Sequence, residues 1–198
     1  MIAAFYGLRR AEVVGLRWSA IDFDRNTITI NHTVTTVNFG EGCEDVAQDS
    51  AKTKSSLRTL PLVGNIREYL LQKKNAEEFN KSICGNSYNY EFDGYIFVDE
   101  MGDRIKPNYL TCQFPKVLER HGLKKMRFHD LRHSCASLLL ANGVTLKEIQ
   151  EWLGHSDFST TVNIYAHLDY SAKLTSAEAM SGALTLPDNT FESKWQNV

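Results

Sequence analysis

The segment His129-Asp130-Leu131-Arg132-His133 opens a helical pattern in this 198-residue sequence. His129 and Arg132 are three positions apart, so both project from one helical face. A guanidinium fork beside an imidazole at a helix N-terminus, where unpaired backbone N–H groups already favour anions, suits a phosphate. Taken alone, the segment reads equally well as a polar surface helix. It also matches a zinc-ligand spacing, with Asp in place of Glu in H-E-x-x-H, and His155 or His167 is then the candidate third ligand. Further along, Leu153-Gly154-His155-Ser156 adds an imidazole after a glycine, and Ser159-Thr160-Thr161 leads into Tyr165-Ala166-His167. Each residue has an ordinary reading too: Tyr165 as a half-buried helix aromatic, His155 as a polar helix cap.

The elements that must carry these residues are mostly helical. Asp130 to Asn142 reads as a helix stopped by Gly143, with Cys135 on an apolar face beside Leu131, Leu138 and Leu139. Thr145 and Glu148 form a capping box that opens a helix with Leu146, Ile149 and Leu153 on one face, closed by Gly154. Another helix begins near Ser159 or Thr160 and carries Val162, Tyr165 and Leu168, and a last one covers about Ser171 to Met180. Earlier in the chain, Val13, Val14 and Leu16 suit a buried helix over Ala11 to Trp18 that reaches back past Met1. DRNTITINHTVTTV and SLRTLPLV, separated by a polar stretch, read as strands of one small antiparallel sheet. An amphipathic pattern runs from about Asn65 to Asn80, YIFV reads as a short extended segment, and Pro107 opens a helix that runs to about His121 and ends at Gly122. The fold class expected is therefore α+β and mainly α-helical, as a single domain over residues 1–198.

Composition sets outer limits. The chain is 42% hydrophobic, enough for a core of its own, and has no long one-signed charge run. No apolar stretch approaches the roughly 18 residues that a membrane span needs. Cys43, Cys84, Cys112 and Cys135 are scattered and read as reduced thiols, and together these features point to a cytoplasmic protein. A net charge of −2 argues weakly against nucleic acid. The bases are nevertheless grouped, at Arg9, Arg10 and Arg17, at Lys52, Lys54 and Arg58, and from Arg120 to His133.

Taken in order, HDLRH, LGHS and STTVNIYAH resemble the signature region of the tyrosine recombinases, the integrases of phages and conjugative transposons. Gly7-Leu8-Arg9-Arg10-Ala11-Glu12, continuing to Gly15-Leu16-Arg17-Trp18, resembles the family's first arginine motif, and Lys52 to Pro61 resembles its lysine hairpin. The resemblance implies the recombinase catalytic fold, with a small antiparallel sheet near the N-terminus. It implies DNA cleavage and rejoining through a 3′-phosphotyrosyl link, with Tyr165 as nucleophile, Arg9 and Arg132 on the non-bridging oxygens, and His129 and His155 assisting. Lys52, with Lys54 as second choice, protonates the leaving 5′-oxygen. Glu12 orients an arginine, while Trp18 and Trp152 belong to the core. Neither metal nor other cofactor is implied, and the partners are double-stranded DNA and further copies of the chain, assembled as a tetramer on DNA. In the family a core-binding and often an arm-binding domain precede this region, so the chain reads as a catalytic domain without them. Ser171 to Met180 is a candidate for packing against a neighbouring subunit. Two alternatives remain beside this reading: a non-catalytic DNA-binding relic of an integrase, and a metallohydrolase using His129 and His133.

Overall fold

The computed structural model describes residues 1–40, 42–49 and 57–155. Lys52, Lys54, Tyr165, His167 and the two helices expected after His155 lie outside the described residues.

The chain opens with two short helices, α1 (Ile2–Tyr6) and α2 (Arg10–Val14). The continuous helix expected back from Trp18 is thus broken twice. Gly7 takes a left-handed φ of +60°, and a Cβ there would run into Leu153 and crowd Cys135 at 3.3 Å. Gly15 ends α2 because it presses against the following sheet: a Cβ would lie 2.7 Å from the His32 carbonyl oxygen and 2.8 Å from Thr33 Cα. The chain then makes a single 3₁₀ turn at Trp18–Ala20.

Among the described residues the strands form two antiparallel sheets rather than one. β1 (Ile21–Asp22), β2 (Thr27–Ile30) and β5 (Arg58–Pro61) make the first, in the order β1-β2-β5, with Ile28 opposite Leu60 and Ile30 opposite Arg58. The run from Thr27 divides at Asn31. Beyond it β3 (His32–Asn38) leaves the first sheet and pairs with β4 (Cys43–Asp49). β4 was legible only as a polar connection because it is exposed almost throughout, so no buried face imposes alternation on its sequence.

Ile28 and Ile30 point inward and are buried, each worth about 1.5–3 kcal/mol of transfer free energy. They meet Tyr6, Leu8, Leu16 and, from α3 (Gly64–Cys84), Ile66 and Leu70. Trp18 and Trp152 pack at the edge of this cluster. α4 (Pro107–Arg120) follows the expected bounds, and the last two described helices are α5 (Asp130–Ala141) and α6 (Leu146–Leu153). α5 packs on α1, with Cys135 Sγ 3.2 Å from the Phe5 carbonyl oxygen. Leu138, expected on the same apolar face, is instead 66% exposed. The Thr145–Glu148 capping box forms as expected, and Gly154 caps α6 with φ +68°. No helix among the described residues is long and apolar enough to cross a membrane.

Candidate active site

Three segments converge on the C-terminal end of α6. The last carbonyls of any helix lack internal partners and carry partial negative charge, so they attract cations. Here three arginines meet that demand on successive residues. Arg58 Nε donates to the Trp152 carbonyl oxygen at 2.9 Å, Arg132 Nη2 to Leu153 at 2.6 Å, and Arg9 Nη2 to Gly154 at 3.3 Å.

Arg9 stands at the N-cap of α2 with an extended backbone, and its N–H donates to Glu12 Oε2 at 2.8 Å. The Arg9 side chain returns to the same carboxylate, Nη1 to Oε1 at 2.9 Å, while remaining 40% exposed. Glu12 is itself 2% exposed. A buried carboxylate survives only when its charge is matched, and Arg58 supplies the second match, with Nη1 and Nη2 each 3.0 Å from one carboxylate oxygen. Burial alone would raise the Glu12 carboxyl. Hydrogen bonds and charge from Arg58, then from Arg9, outweigh it and hold the group below the usual carboxylate range. Glu12 thus takes the orienting role expected of it.

Arg132 points inward from the first turn of α5. Nη1 donates to the Gly7 carbonyl oxygen at 2.7 Å, and Nε donates to His155 Nε2 at 3.2 Å. Burial, and after it the charge of Arg9, lowers the Arg132 guanidinium to about 9, so it stays cationic at neutral pH. Because His155 Nε2 accepts, the neutral ring carries its proton on Nδ1. Burial and the surrounding arginines, Arg132 foremost, lower His155 to about 4, which keeps the ring neutral at physiological pH.

Arg9, Arg132 and His155 therefore meet, as their sequence motifs suggest. His129 lies at the exposed rim, at the N-cap of α5, edge-on to His133 with ring centroids 5.1 Å apart. Burial, His133 and Arg132 all depress its pKa. The helix start beside it is already matched by its own Asp130, which accepts from the backbone N–H and guanidinium of Arg127. Arg10 stays outside the cluster, bonded to Thr111 Oγ1 at 2.9 Å. Arg58 was the residue sequence reasoning missed. The available signal was its place in the strand: Arg58 and Leu60 alternate inward while Thr59 and Pro61 face out, so a charge sits on a buried face. Among the described residues no three His, Cys, Asp or Glu side chains gather as a metal site requires. In addition, the Nε2 lone pair of His155 is occupied by Arg132.

The sequence profile of the phage integrase family matches residues 1–172. The chain belongs to the phage integrase family. A tyrosine recombinase XerC-like protein of Caldanaerobacter subterraneus subsp. tengcongensis is 32% identical over 186 residues, covering 91% of this chain and 48% of that protein. The integrase of Staphylococcus phage L54a is 27% identical over 172 residues, covering 84% and 46%. The chain spans about half the length of these relatives. Among solved structures, the Tn1549 transposon integrase in complex with transposon right end DNA aligns with a TM-score of 0.69 at 25% identity, over 92% of this chain and 56% of that one. The XerH recombinase bound to its difH substrate in a post-cleavage complex aligns with a TM-score of 0.55 at 26% identity, over 91% and 43%. The architecture of this integrase-family chain is that of a tyrosine recombinase catalytic domain, mainly helical with small antiparallel sheets.

Proposed function

We propose that the protein cuts and rejoins DNA at a specific site through a covalent bond to Tyr165. The observation that carries this reading is the meeting of Arg9, Arg132 and His155 at the end of α6, since Arg9 and Gly154 are 145 positions apart and no local regularity brings them together. Family membership and the DNA complexes of the Tn1549 integrase and XerH support it.

The Tyr165 phenol oxygen attacks the scissile phosphorus, forming a P–O bond as the bond to the 5′-oxygen breaks. The phenol proton passes to solvent, and Lys52 supplies a proton to the departing 5′-oxygen. Arg9 and Arg132 draw the charge of the non-bridging oxygens, for which preorganised guanidiniums suit better than a mobile ammonium. Neutral His155 holds the Arg132 fork in place through Nε2, and His129 assists at the rim. The phosphotyrosyl ester conserves the energy of the broken bond, so attack by another 5′-hydroxyl reseals the strand without a nucleotide cofactor. Exchange between two duplexes requires four cleaved strands, and hence four chains assembled on DNA.

The test is covalent trapping on nicked duplexes selected by the protein from a random-sequence pool. A protein–DNA adduct that forms in EDTA and maps by peptide mass to Tyr165 is the expected result. Binding without any adduct would favour a non-catalytic relic, and cleavage that stops in EDTA and returns with zinc would favour a metallohydrolase.

A further inference from the structure

The Glu12 carboxylate receives four donors from two arginines: the Arg9 N–H and Nη1 on one side, and Arg58 Nη1 and Nη2 on the other. Arg58 is the more firmly held of the two. It sits within β5, opposite Ile30 in the first sheet, and is 8% exposed. Its Nε reaches the Trp152 carbonyl oxygen, one residue before the carbonyl that binds Arg132 and two before the one that binds Arg9.

Charge decides what this arrangement does for Arg9. Were Glu12 paired with Arg9 alone, the two would form a neutral pair, and Arg9 would exert little pull on an approaching phosphate. Among the described residues two guanidiniums share this one carboxylate, so Glu12 does not neutralise both, and the member that reaches solvent is Arg9. A buried ion pair contributes little net stability against an apolar replacement, so stability alone is a poor reason for placing Arg58 here.

We propose that Arg58 is a positioning residue for DNA cleavage: through Glu12 it fixes the Arg9 guanidinium and leaves it cationic, and through the Trp152 carbonyl it holds the end of α6. This rests on the recombinase reading above and extends it to a residue that does not itself touch the phosphate. A lysine at this position would keep the charge but lose the planar fork that spans both carboxylate oxygens and the carbonyl.

The experiment compares two nicked suicide duplexes in single-turnover cleavage by the intact gene product. One has an ordinary scissile phosphodiester; the other is a methylphosphonate, in which a methyl group replaces one charged non-bridging oxygen. Arg58→Ala is expected to slow phosphodiester cleavage about 10–100-fold, the range in which outer-shell partners act, with DNA affinity retained. On the methylphosphonate, which lacks the charge Arg9 must neutralise, most of that deficit should vanish, as it should for Arg9→Ala. Arg58→Lys should recover part of the phosphodiester rate, and it takes the place of Arg58→Ala if the alanine variant does not fold. Equal deficits on both duplexes, or unimpaired phosphodiester cleavage by Arg58→Ala, would overturn the positioning role while leaving the recombinase reading intact. If the unaltered protein forms no Tyr165 adduct, both fall together.

Discussion

The end of α6 and the base of the β3–β4 hairpin are both polar networks with buried members, yet they are built to different charge balances. At the hairpin base, His32 lies 2.6 Å from Asp49 through Nδ1 and 2.9 Å from the Tyr95 hydroxyl through Nε2, and Arg17 donates to that hydroxyl at 3.1 Å. Two guanidiniums, Arg17 and Arg104, are set against two carboxylates, Asp49 and Asp45. Donors and acceptors run in one direction, from Arg17 through Tyr95 and His32 to Asp49, and the charges cancel. At the end of α6, among the described residues, three guanidiniums face a single carboxylate, and main-chain carbonyls and the His155 ring are among their other partners. Burial depresses an imidazole in both places. A shifted pKa therefore does not by itself mark a reactive centre; the uncompensated charge beside it does.

Arg132→Ala should break this comparison most sharply. Removing a preorganised donor from developing phosphoryl charge typically costs about 10²–10³-fold in rate, and single-turnover cleavage should fall by at least that much, while DNA binding is largely kept. Tyr95→Phe is the matched change at the hairpin base. It deletes one hydroxyl and should cost about 1 kcal/mol of stability in chemical denaturation, with no change in cleavage by the folded fraction.

Gly7→Ala comes next. The left-handed φ and the Leu153 side chain leave no room for a methyl group, and the Gly7 carbonyl is a partner of Arg132. Strain of this kind costs on the order of 1–3 kcal/mol. The expected outcome is a lower melting temperature together with slower cleavage, whereas an equivalent strain at the hairpin should lower the melting temperature alone.

The smallest expected effect is on pH. As pH falls from near 6.5 towards 4, the unfolded chain binds a proton at His155 that the folded chain refuses, so the fold loses stability through that window. His155→Gln, whose side-chain oxygen can still accept from Arg132, should flatten the loss over that range. For the same reason the acid limb of cleavage attributable to His155 should lie near pH 4 rather than near 6.5, and a rate profile on one suicide duplex measures it.

Much of this was legible in the sequence where local rules and burial agree. The Thr145–Glu148 box, Gly154 at the helix end and Pro107 at a helix start each act within a few residues, and α6 and α4 follow them. The His129–Arg132 segment was readable because a phosphate suits those side chains at a helix start, and Arg9 and His155 were readable through the family resemblance of their motifs. What escaped were features decided by distant contacts. The break at Gly7 is set by Leu153 and Cys135, the division of the sheet at Asn31 by the turn of β3 towards β4, and the role of Arg58 by a carboxylate 46 positions away. None of these leaves a periodic trace in the sequence nearby.

The most direct measurement of the central claim is the adduct itself, compared between the unaltered protein and Tyr165→Phe on the same nicked duplex. Phenylalanine keeps the ring and removes the only atom that can form the ester. The account predicts a covalent complex from the unaltered protein and none from Tyr165→Phe, with DNA binding preserved in both. An adduct that persists in Tyr165→Phe and maps to another residue, such as Tyr109 or Tyr170, would contradict it.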